Sequence, residues 1–199
     1  MAINPTPPRR GHNRLRPFIW GTAAVLLLLP ALAMRFTDEV DWNGADFIVM
    51  GLLLAVACGL YELGAWMSGN PAYRTAFGIA VVAGFLTVWV NLAVGMFGSE
   101  GHPLNLMFGG VLLLAALGAL LARLRARGMA WAMAATAGAQ LLAAGVGLAV
   151  GMSVGTDEQG GPPLAREALL TAFFAVPWLA SAMLFRKAAD EERAAGPVT

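Results

Sequence analysis

The chain has 199 residues, 58% of them hydrophobic and only 13% charged, with a formal net charge of +1. A soluble domain carries about 25% charged residues, so this composition belongs in a membrane. The near-neutral balance gives no reason to expect a nucleic-acid partner. The single cysteine, Cys58, excludes an intrachain disulfide and a thiolate-rich metal site.

Six segments approach or exceed the ~17–20 residues a helix needs to cross hydrocarbon. In chain order they are Phe18–Met34, Asp46–Met67, Ala76–Phe97, Leu104–Ala122, Met129–Met152 and Arg166–Phe185. Backbone polar groups in lipid must be satisfied within the segment, which makes these helices rather than strands. The expected fold is an all-α, six-helix transmembrane bundle over residues 18–185. A basic tail (1–17) and a charged tail (186–199) flank it.

The first span follows basic residues and carries Pro30 and then "ALA" (Ala31–Ala33). Two readings stay open: a retained membrane helix, or a secretory signal with a small-residue cleavage site. The later connections carry turn chemistry at helix breaks: Ser68-Gly69-Asn70-Pro71, Gly101-His102-Pro103 and Gly160-Gly161-Pro162-Pro163.

Charge sets the expected orientation. One side collects Arg9, Arg10, Arg14, Arg16, Arg74, Arg123, Arg125, Arg127, Arg186, Lys187 and Arg193, eleven of the thirteen basic residues. The other side holds only Arg35 and Arg166, among many acids. By the positive-inside rule both termini face the cytoplasm. Trp20, Trp42, Trp66, Trp89, Trp131 and Trp178 fall mostly near span ends, as an interfacial belt would.

Three external connections resemble one another: "MRFTDE" from Met34, "GMFGSE" from Gly95 and "GMSVGTDE" from Gly151. The last two follow the same letters, "LAVGM", at 92–96 and 148–152. Three helical hairpins in series would produce this pattern. So would a composition dominated by Ala, Val, Leu and Gly whose outer turns are selected to be acidic.

Polar residues inside the spans draw attention because they are costly there. Glu62 lies near the cytoplasmic end of the second span, where it is expected to snorkel or to pair with Arg74, Arg123 or Arg125; the alternative is a proton- or cation-handling role. Asn91 and Gln140 are buried amides, read either as glue between helices or, for Asn91, as the floor of an external pocket. Glu100, His102 and Asn105 would form the rim of that pocket. The bland account of the same rim is a capped helix start at Pro103 with Glu100 at the positive end of the dipole.

The fifth span carries Ala143, Gly147 and Gly151 at four-residue intervals, a face that lets another backbone come close. It is expected at the bundle centre, or at an interface with a second copy or another membrane protein. Arg123, Arg125 and Arg127 either hold anionic lipid headgroups or simply anchor the topology.

Catalytic motifs are missing. The two histidines, His12 and His102, lie outside the spans, so bis-histidine haem ligation within the bundle is excluded. The sequence has no His-Glu-x-x-His, Walker, dinucleotide or GxSxG pattern. Ser181 has no histidine to act as its base. No catalytic residue, metal or cofactor is expected.

The stretch "VWVNLAVGMFGSEGHPLNLMFGGVLLLAALGALLARLRARGMAWAM" (Val88–Met133) resembles a family of small bacterial inner-membrane proteins without an assigned function. A fainter likeness lies in "YELGAWMSGNPAYRTA" (Tyr61–Ala76). The resemblance implies bacterial origin, an inner-membrane location and helical architecture, and it transfers no catalytic residue. Where relatives read a Glu-Asp-Asn-Pro turn, this chain has Glu100-Gly101-His102-Pro103, which puts any essential role for His102 in doubt. The expectation is a structural or accessory membrane component. The alternatives are a small-solute permease or ligand sensor using the Asn91–Glu100 pocket, and a membrane enzyme with an acidic external site.

Overall fold

A computed structural model describes residues 15–97, 101–154 and 164–196, with side chains for all of these except 151–154 and 164–165. Among the described residues the chain is all-α, with seven helices and one short 3-10 turn. Six helical spans are long and apolar enough to cross a membrane, making this a multi-pass membrane protein. The helices are α1 (Arg16–Ala33), α2 (Gly44–Met67), α3 (Pro71–Ala93), α4 (Leu106–Leu121), α5 (Ala126–Val154), α6 (Leu164–Phe173) and α7 (Ala175–Ala194). They fall into two compact units, Met1–Gly69 and Asn70–Thr199.

The first unit is the α1–α2 pair. Asn43 caps α2: its Oδ1 accepts from Ala45 N–H at 2.7 Å, while Asp46 Oδ2 accepts from Asn43 N–H at 2.8 Å. This capping box starts the helix two residues before the expected Asp46.

The second unit holds the four remaining spans. Its third span starts earlier than expected, at Pro71, because Asn70 accepts from Ala72 and Tyr73 N–H and Pro71 suits the first turn. It also ends earlier, at Ala93, because Gly95 takes a left-handed φ of +76° and returns its N–H to Val90. The same five letters at 148–152 stay helical inside α5, so the repeated "LAVGM" does not carry a repeated conformation.

The last span is the larger departure. It runs to Ala194 rather than Phe185, and it breaks at Phe174 into α6 and α7. Pro177 has no N–H to give, and its ring clashes with the carbonyl four residues earlier, at Phe173. Residues 186–194 of the segment read as a charged tail continue α7, and Ala188 and Ala189 there are buried. Asn70 Nδ2 donates to Glu191 Oε2 at 2.9 Å, tying that end to the start of α3.

Packing within this unit is set by small residues. A Cβ on Gly118 would sit 2.8 Å from Ala132 Cβ, and one on Gly128 would sit 2.7 Å from Ala122 Cβ. Gly118 of α4 and Ala122 just after it thus lie directly against Ala132 and Gly128 of α5, an antiparallel small-residue seam. The turn between these helices uses Arg123 (φ 49°) and Leu124 (φ 56°), both left-handed, an arrangement costly for non-glycine residues. Tyr73 Oη holds it by donating to the Leu124 carbonyl at 2.6 Å. By contrast α3 packs mainly on α7 and only sparsely on α4, so the hairpin order of the sequence is not the packing order.

Two apolar clusters fill the unit. One joins α3, α4, α5 and α7 around Tyr73, Phe77, Met133, Trp178 and Phe185. The other gathers Met96, Phe97, Phe108, Val111, Ala143 and Ala168. Trp178 is an exception to the expected aromatic belt: it is buried in the first cluster, beside the space Gly84 leaves open.

Candidate functional site

The polar side chains singled out in the sequence divide by unit. In the first unit Glu62 is engaged by α1. Its Oε1 accepts from Trp20 Nε1 at 2.6 Å and pairs with Arg16 Nε at 2.9 Å. Arg16 and Trp20 are one turn apart on α1, so one carboxylate takes both. Within its own unit Glu62 thus pairs with Arg16, a partner the sequence reading did not name.

In the second unit the turn after α3 is the polar centre. Asn105 sits in the 3-10 turn Pro103–Asn105, which His102 caps by accepting from Leu104 N–H at 3.3 Å. The Asn105 Oδ1 accepts from Met96 N–H at 3.1 Å and Phe97 N–H at 2.9 Å, and its Nδ2 donates to the Phe97 carbonyl at 3.2 Å. One carboxamide thereby satisfies backbone groups that Gly95 releases by ending α3. Asn105 is buried under that turn rather than presented at a rim.

The same turn is fastened from two other helices. Thr171 Oγ1 donates to the Met96 carbonyl at 3.3 Å, and Gln140 Nε2 donates to the Thr171 carbonyl at 3.1 Å. The Thr171 carbonyl is free to accept because the helix breaks just beyond it, leaving it only the shorter-range Phe174 N–H at 3.2 Å. Thr171 escaped the sequence reading: it lies six residues before Pro177, beyond the Phe173 carbonyl that the proline leaves without its usual donor.

Asn91 lies at the end of α3. Its Nδ2 donates to the Thr87 carbonyl, one turn back, at 2.8 Å. Among the described residues its buried Oδ1 has no partner, and neither has Gln140 Oε1. No bond brings Asn91 to His102 or Asn105 among the described residues; Glu100 lies outside them.

Phe97 anchors the turn apolarly. It stacks on Phe108 with centroids 6.2 Å apart, and a Cβ on Gly147 would collide with its ring. The Ala143 and Gly147 face of α5 is therefore covered by Phe97 of the same chain, at the centre of this unit; the surroundings of Gly151 lie outside the described residues. Ser181 Oγ donates to the Ala76 carbonyl at 2.8 Å, joining α7 to α3.

No family model, curated protein or solved structure matches the chain. Among the described residues no three His, Cys, Asp or Glu side chains come together as a metal site would require. What the arrangement does chemically is hold backbone: amides and hydroxyls spend their hydrogen bonds on a helix end, a kink and a helix crossing.

Proposed function

We propose that the chain is a structural or accessory component of a bacterial inner membrane, with both termini in the cytoplasm, that acts through its helix faces rather than by chemistry of its own. The observation that supports this most is the engagement of Asn105, Thr171 and Gln140. These three buried polar side chains of the second unit spend their hydrogen bonds on the turn after α3 and on the Thr171 carbonyl beside it. Faces turned outward are apolar, as with Leu28 and Leu32 of α1 and Leu141 and Leu142 of α5, and suit lipid or another membrane protein. Orientation rests on the eleven basic residues gathered on one side. The reading is tested by purifying the chain from its own membrane in mild detergent after crosslinking. A stoichiometric membrane-protein partner or second copy is expected, and a lone monodisperse protomer counts against it.

A second reading, a permease or sensor with a pocket at Asn91, is favoured by one atom: the buried Asn91 Oδ1 has no donor among the described residues. Under that reading Asn91→Leu or Glu100→Gln abolishes uptake or ligand response with expression intact. Variants that lose only thermal stability point back to the structural role.

A further inference from the structure

The three arginines after α4 do not act as a group. Only Arg127 lines a groove of about 410 Å³ between α5 and α7, and there it is joined by Arg186 and Arg193. The floor of this groove is alanine, Ala130 and Ala134 from one helix and Ala182 and Ala189 from the other, which is why a furrow exists between two helices that otherwise pack tightly. Asp190 is the one acid in the lining, so the charged end carries three arginines against one carboxylate, a net +2. Asp190 is occupied with Arg193 at 3.7 Å. Among the described residues no ion pair engages Arg127 or Arg186.

The groove is graded along its length. On α7 the lining runs from Leu179 and Met183 to Arg186, Asp190 and Arg193. On the antiparallel α5 it runs from Ala134 through Trp131 to Arg127, so apolar meets apolar and basic meets basic. Leu179 to Arg193 spans about 21 Å at 1.5 Å per residue, close to the thickness of one membrane leaflet with its headgroups. Trp131, 73% exposed and one turn below Arg127, has the character of an interfacial residue.

We propose that this groove binds an anionic diacyl phospholipid, with the phosphate on Arg127 and Arg186 and an acyl chain along Trp131, Met183 and Leu179. Guanidinium groups suit phosphate oxygens because they donate two parallel hydrogen bonds, and basic furrows between membrane helices commonly take such headgroups. A free phosphate would use only the charged end and leave the apolar length without a role. The grading from arginine to leucine therefore commits the site to an amphiphile.

The test uses the full chain in mild detergent and native mass spectrometry. The chain is titrated with phosphatidylglycerol or with phosphatidylcholine of the same acyl chains, and phosphatidylglycerol is expected to bind preferentially. Arg127→Gln with Arg186→Gln should weaken that binding by on the order of 20-fold, from about fivefold per arginine. Arg127→Lys with Arg186→Lys should bind between the parent chain and the glutamine pair, keeping the charge but losing the paired hydrogen bonds, and Arg123→Gln with Arg125→Gln should leave binding unchanged. Excess inorganic phosphate should not displace the lipid. Equal binding of the two lipids by the unaltered chain would overturn the proposal without recourse to any variant. So would an unaffected Arg127/Arg186 double variant, or full displacement by inorganic phosphate.

Discussion

Asn105→Leu separates a fastener from a ligand-binding residue. Leucine keeps much of the volume but removes the acceptor for two backbone donors, Met96 N–H and Phe97 N–H, and the donor to the Phe97 carbonyl. Each orphaned buried group costs about 1–3 kcal/mol. Three such groups total about 3 kcal/mol at the lower end of that range. For a chain of this size that corresponds to a fall in Tm of roughly 6–12 °C, at about 2–4 °C per kcal/mol. The assay is thermal unfolding in a fixed detergent, followed by tryptophan fluorescence at one scan rate because membrane proteins often unfold irreversibly. Asn105→Asp retains carboxylate oxygens for the two N–H groups and loses only the donation to Phe97, so it should fall between leucine and asparagine. A leucine variant within about 0.5 kcal/mol of the parent chain, the range of an inconsequential surface change, would refute the reasoning.

Gln140→Leu should cost about 1 kcal/mol, despite complete burial, because it loses the bond to the Thr171 carbonyl and a weak one to Met96 Sδ but also removes an Oε1 that has no partner among the described residues; a much larger loss in the same unfolding assay would mean the amide has another role. Gly147→Val should lower stability by about 1–3 kcal/mol through collision with the Phe97 ring, and Phe97→Leu in the same chain should restore part of it, which a double-mutant cycle reads. Glu62→Gln should change stability by no more than about 1 kcal/mol, since Arg16 and Glu62 are both partly exposed. With Cys58→Ser as background, a cysteine at Lys187 should react with an impermeant maleimide only after the membrane is opened, and one at Asp38 should react in intact cells; the reverse pattern would invert the proposed orientation.

The spans were legible because length and hydropathy alone decide what crosses a bilayer. Helix starts at Asn43 and Asn70 were within reach of capping rules. Three features were not legible, each for a physical reason. The partner of Glu62 depends on which helix lies beside α2, and a lone carboxylate near a span end has several basic residues to choose from. The break at Phe174 follows from Pro177, yet a proline in an apolar run also fits an unbroken, bent span. The role of Asn105 was obscured because its partners are backbone groups eight and nine residues away, presented only once Gly95 has turned the chain. Four-residue spacing marked Ala143 and Gly147 as a close-approach face. It did not say that a phenylalanine of the same chain would fill it.

The most direct measurement is an experimental density map of the full chain in a lipid nanodisc, resolved well enough to place side-chain amides. The account expects Asn105 on the Met96 and Phe97 N–H groups, Gln140 on the Thr171 carbonyl, and no bound ligand between Asn91 and the turn after α3. Ordered non-protein density shared by Asn91, Glu100 and Asn105 would contradict it, and would turn the frame of this turn into a binding site.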